Sequence, residues 1–165
     1  MKNWNGILKL LSVEHIRGSR VIWKQENIYN QIHLKGEEFL LKCCFNNNGS
    51  YPPDEYYFGL DNRAAISNSD ELADLLDEPT TNGYSRQARS SLTGFNVELV
   101  NGSYRASSSI MTFSASGGSW GPVSNIFLAT SAGSSGVLVS SAALSQSVTL
   151  TSGDSVNLRM ALSLS

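Results

Sequence analysis

The chain has 165 residues and a formal net charge of −2, with 16% of its residues charged, below the roughly 25% of a typical soluble domain. That length suffices for one domain with a real core and no metal or disulfide support. The charge balance excludes a strongly basic nucleic-acid binder, and no run approaches the ~20 apolar residues of a transmembrane helix.

Residues 1–23 read as an N-terminal arm. Lys9 breaks the short apolar run at its start, so the segment does not read as a signal peptide. Trp4, Ile7, Leu8, Ile22 and Trp23 are large apolar groups on this arm. They either fold back on the core or dock on a partner subunit, where Trp is a favoured anchor.

Lys24 to Phe45 has the spacing of an amphipathic helix, with Ile28, Ile32, Phe39, Leu40, Cys43 and Cys44 on one face. Gly36 weakens its middle by about 1 kcal/mol relative to Ala and marks a break. Cys43 and Cys44 are adjacent, which rules out an ordinary disulfide between them. They read as a buried pair of small apolar side chains in a reducing cytoplasm. Asn46 to Gly49 stops the helix, and Pro52–Pro53 enforces an extended exit.

Glu55 to Leu60 reads as a strand. A long loop, 61–83, follows, with a short acidic helix over 69–77 whose apolar face is Leu72, Leu75 and Leu76. Arg63 and Arg86 flank it. A guanidinium fork suits carbonyls and carboxylates, so both read as clamps between loop and sheet, with Asp61 and Glu78 as candidate partners. From Tyr84 onward, strands are expected at 84–90, 94–100, 104–115, 123–131, 136–144, 147–151 and 155–164, separated by Asn-Gly, Gly-Gly and Gly-Asp turns. The last strand alternates, with Val156, Leu158, Met160 and Leu162 facing a core. After Ser90 the only charged residues are Glu98, Arg105, Asp154 and Arg159.

The expected fold is mainly β: an antiparallel β-sandwich over 51–165, jelly-roll or immunoglobulin-like. An N-terminal helical arm over 1–50 and one short inserted helix complete it.

Little in the chain points to catalysis. Gly117–Gly118–Ser119–Trp120–Gly121 matches a hydrolase nucleophile elbow, but Pro122 and a β-rich run follow where a helix is required. His15 and His33 both precede it and stand far apart. The carboxylates of 70–78 lack the spacing of a calcium loop. No catalytic residue, cofactor site or metal site is assigned.

The segments Tyr56–Tyr57–Phe58–Gly59–Leu60, Glu78–Pro79, Asn82–Gly83–Tyr84–Ser85–Arg86–Gln87, Trp120–Gly121–Pro122–Val123 and Gly153–Asp154 occur in that order. Together they resemble small virion structural proteins of tailed bacteriophages, over roughly 55–165. The resemblance implies a non-enzymatic homo-oligomeric β-sandwich, made in the host bacterial cytoplasm and built into the virion. It implies contacts with other virion proteins of tail, neck or capsid, and no nucleic acid, membrane or cofactor. A tail- or neck-associated adaptor is the favoured reading. The alternatives are a capsid decoration protein and a carbohydrate-binding sandwich of a receptor-binding fibre.

Overall fold

A computed structural model describes residues 6–46 and 52–164, with side chains placed for all but 6–8, 163 and 164. The chain runs β1 (Gly6–Arg17), β2 (Arg20–Tyr29), β3 (Gln31–Ile32), α1 (Leu34–Phe45) and β4 (Glu55–Asp61). A single 3-10 turn follows at Leu72–Asp74. Then come β5 (Gln87–Ser90), β6 (Phe95–Val100), β7 (Ser103–Ser108), β8 (Met111–Ser114), β9 (Trp120–Ala129), β10 (Leu138–Leu150) and β11 (Asp154–Leu164).

Two antiparallel sheets face each other as a β-sandwich. One has the order β2-β1-β11-β7-β6, with β8 also pairing β11; the other runs β3-β10-β9-β4-β5. Alternation along the last strand explains the core: Val156, Leu158 and Met160 are buried, and Leu162 is half-buried. They meet Phe58, Leu60, Ile126 and Leu128 of the opposing sheet in one apolar cluster.

The N-terminal third departs from the expected arm. β1 pairs along its whole length with β11, from Gly6 opposite Leu164 to Arg17 opposite Asp154. Residues 6–23 are therefore strands of the sandwich itself. The helix begins at Leu34 rather than Lys24, because Arg20–Tyr29 pairs with β1 as an edge strand. Asn27, at φ 54°, would interrupt any helix through this segment. Long-range pairing overrides a near-helical spacing here. Gly18, at φ 59°, supplies the hairpin turn.

α1 packs on β10 through Gly36, where a Cβ would collide with the Val139 carbonyl. Gly36 thus marks a close approach and not a break. The cysteines do not form a buried pair, since Cys43 is half-buried and Cys44 exposed on the outer face of α1.

Further along, the expected strand 104–115 is split at Ser109–Ile110, since β7 pairs with the end of β11 and β8 with its beginning. The segments expected as two strands, 136–144 and 147–151, form one strand, β10, whose register with β9 slips between Ala143 and Val148.

Asp154, at the start of β11, holds that strand to the end of β1 beside it. Its buried carboxylate accepts from Arg17 Nε and Nη2, both at 2.8 Å, and lies 3.2 Å from His15 Nε2. It also caps the turn before it by accepting from the Thr151 backbone N–H and hydroxyl. The hydrogen bond from Arg17 holds the carboxyl well below the usual carboxylate range, against the opposing effect of burial.

Candidate functional site

Loop 62–86 covers the outer face of the second sheet. Ile66, Leu72 and Leu75 are buried there against Phe127, Ala129 and Leu138. Leu76, expected on the same face, is 83% exposed instead. The helical segment is only the turn Leu72–Asp74, closed by a reciprocal capping box between Glu71 and Asp74.

Both flanking arginines contact loop carboxylates. At the entry, Arg63 Nε lies 3.1 Å from Asp61 Oδ1 and Nη1 lies 3.3 Å from Asp70 Oδ2. At the exit, Arg86 donates from Nε and Nη2 to Glu78, the shorter bond being 2.7 Å. Its Nη1 donates to the carbonyls of Ser131 (3.0 Å) and Gly133 (2.8 Å), and its guanidinium lies over the Phe127 ring.

Tyr84 completes the exit. Its hydroxyl donates to Glu78 and accepts from the Leu60 N–H at 2.8 Å. Its ring stacks on Phe113 and meets Trp120 edge-on. Burial, reinforced by the Glu78 charge, pushes the Tyr84 hydroxyl far above its ordinary value, so it remains a donor.

Asn82 and Gly83 turn the chain with positive φ. The Asn82 carbonyl accepts from the Trp120 indole, and its side-chain amide donates to the Ser119 carbonyl. A strand, β9, follows Ser119, where a nucleophile elbow would need a helix. His33 is fully buried, with Nε2 2.9 Å from the Ser141 hydroxyl. Burial lowers its pKa. Among the described residues no group of three or more His, Cys, Asp or Glu is placed to hold a metal, and no helix is long and apolar enough to cross a membrane.

The five apolar residues expected to dock on a partner are scattered. Trp4 lies outside the described residues. Ile7 and Leu8 are in β1, opposite Ser163 and Leu162 of β11. Trp23 is half-buried against the core, while Ile22 and its neighbour Val21 are exposed on the edge strand β2.

An uncovered apolar surface lies elsewhere. A groove of about 340 Å³ opens between the sheets, walled by Leu40 of α1, Tyr56, Phe95, Val97, Leu128 and Met160. An edge-to-face series, Phe39 to Tyr56 to Phe95, runs along it. Burial pushes the Tyr56 hydroxyl up to about 12. Among the described residues no charged side chain lines the groove. Sequence reasoning missed it because its walls come from α1 and from strands of both sheets, which alternation within one strand does not reveal. Of the aromatic residues that a stacking platform for sugars would use, Trp120 is buried and Tyr84 half-buried, while Tyr104 is exposed.

The family model described as "Podophage GP4 fiber I protein gp80" matches residues 32–163. The match runs from β3 to β11 and takes in the loop clamps and the groove, leaving the β1–β2 hairpin outside. No curated protein and no solved structure matches the chain. With most of its length inside that match, the chain belongs to the podophage GP4 fiber I protein gp80 family, a family of tailed-phage virion structural proteins.

Proposed function

We propose that the protein is a non-enzymatic structural subunit of a podophage tail fibre, packed in the virion against other virion proteins and further copies of itself. The family's description names a fibre protein, which favours this over a tail or neck adaptor and over a capsid decoration protein. The observation that carries the reading is the apolar groove between α1 and the β6–β7 hairpin, with no charged side chain among the described residues that line it. A subunit left alone in water would expose it. A subunit within an assembly has neighbours to cover it. Val21 and Ile22 on β2 supply a second, smaller contact. In this reading Arg63 and Arg86 act on the protein's own architecture, holding loop 62–86 to the sheet so that its outer face is fixed for packing.

Immunogold labelling of intact particles, with antibody against the full chain, tests the reading. Gold on the fibres is the expected result. Label on the capsid shell, or a protein absent from purified particles by mass spectrometry, overturns it.

A further inference from the structure

Among the described residues the first sheet ends at β6, a six-residue strand paired on one side only, with β7. Asn101 and Gly102 join the two through a two-residue turn with φ values of 50° and 82°, the geometry of a type I′ hairpin. In such a hairpin the residues flanking the turn exchange both backbone hydrogen bonds, and bonded and non-bonded pairs then alternate. Val100–Ser103, Glu98–Arg105 and Asn96–Ser107 are thus the bonded pairs of the observed register. The backbone N–H and C=O groups of Phe95, Val97 and Leu99 point away from β7, toward the open edge.

The same three residues carry the apolar face of the strand. Val97 is 67% exposed and Leu99 61% exposed, while Phe95 is half-buried beside the groove. The opposite face carries Asn96, Glu98 and Val100. There Glu98 is held by Arg105, at 2.8 Å from its Nη2, and by the Ser107 hydroxyl.

Natural sheets protect their edges with charge, bulges, proline or shortness. β2 carries Arg20, Lys24 and Glu26 and slips register at His15/Ile16. β3 has two residues, and β5 and β8 have four each. β6 has none of these devices: its register with β7 is unbroken, it contains no proline, and its single charge is already paired across the hairpin.

We propose that β6 is a strand-pairing site whose occupant is β6 of a second copy of this chain, related by a two-fold axis through Val97. The proposal rests on the reading that the subunit packs against copies of itself, and it names the site. Antiparallel pairing about that axis sets Val97 opposite Val97, Phe95 opposite Leu99 and Asn96 opposite Glu98. Residues with outward backbone groups then meet residues with outward backbone groups, giving about six new hydrogen bonds. The apolar faces of the two strands run on as one surface beside both grooves. Glu98 meets a neutral Asn96, so no like charges are opposed.

The full chain is examined by size exclusion with light scattering, together with hydrogen exchange resolved to single amides. Val97→Pro removes an outward N–H, a change tolerated on an edge strand whose N–H faces solvent. Val97→Lys keeps that N–H and places a charge on the apolar face. The expected result is a two-chain mass for the parent chain, with Val97 and Leu99 amides protected. Both variants should show a one-chain mass, with the parent's circular dichroism and with those amides exchanging freely. A parent chain that stays single up to its solubility limit overturns the proposal, as does a Val97→Lys protein that keeps the two-chain mass. Protection of Val97 that arises only when a different virion protein is added also overturns it, since the occupant would then be a foreign strand. All three outcomes leave the fibre reading standing, because that reading fails by the location of label on the particle.

Discussion

Arg86 and Glu78 form a two-nitrogen ion pair at the exit of loop 62–86, with Nη2 at 2.7 Å from Oε2 and both side chains mostly buried. The same guanidinium reaches the Ser131 and Gly133 carbonyls at the far end of β9. One side chain therefore joins the loop to a second loop, and Phe127 supplies the surface beneath it.

Arg86→Ala leaves Glu78 with Tyr84 as its remaining side-chain donor and leaves two carbonyls without this partner. The expected cost is about 1–3 kcal/mol for buried groups left unpaired. Its signature is local, since Phe58, Leu60 and the β11 core do not depend on it. Hydrogen exchange should accelerate within 62–83 and stay unchanged in β9 to β11. Equal acceleration across those strands would show that Arg86 supports the whole sheet and not the loop.

Leu158 is 1% exposed at the centre of β11. Leu158→Ala removes a fully packed side chain, and about 2–5 kcal/mol of stability should go with it. Chemical denaturation measures this as a fall in midpoint at constant slope. A change below about 0.5 kcal/mol, the usual range for surface substitutions, would contradict the position of Leu158 in the core.

Gly36→Ala sets two effects against each other. Helix propensity alone favours alanine by about 1 kcal/mol. The new methyl, however, meets the Val139 carbonyl of β10, and overpacking of this kind costs about 1–3 kcal/mol. The account predicts net destabilisation in thermal melts. A stabilised variant would mean that α1 does not approach β10 this closely.

Asp154 makes stability depend on acid. Its folded pKa lies below the unfolded value of about 3.9. The stabilisation it contributes is therefore fully present above that unfolded value and is lost as pH falls toward the folded one. Arg17 and His15 are the charged or titratable side chains facing it. Asp154→Asn should lower the denaturation midpoint at pH 7, and the gap from the parent chain should narrow below about pH 4. A gap that stayed constant down to pH 2 would exclude the carboxylate charge as its source.

The C-terminal sandwich was readable from the chain because β11 alternates and because Asn101–Gly102 and Gly153–Asp154 are turn residues. Arg86 and Glu78 could be picked out as partners by their chemistry. The extended run through β2 and β3 could not be, because Ile28 and Ile32 fit a helical spacing as well as an extended one, and only the pairing of β2 with β1 and of β3 with β10 decides between them. Leu76 was misplaced because a turn of three residues has no continuous face. The groove was invisible for a different reason: its walls come from α1 and from strands of both sheets, and only their packing brings them together.

The central claim is that the protein serves as a fibre subunit whose apolar groove is covered by assembly. A cryo-electron microscopy map of the intact particle, at a resolution that shows side chains, tests it most directly. The account predicts the sandwich within the fibre, with the groove residues Leu40, Phe95 and Val97 packed against protein density from a neighbouring chain. A sandwich located on the capsid shell, or a fibre in which these residues face open solvent, would contradict it.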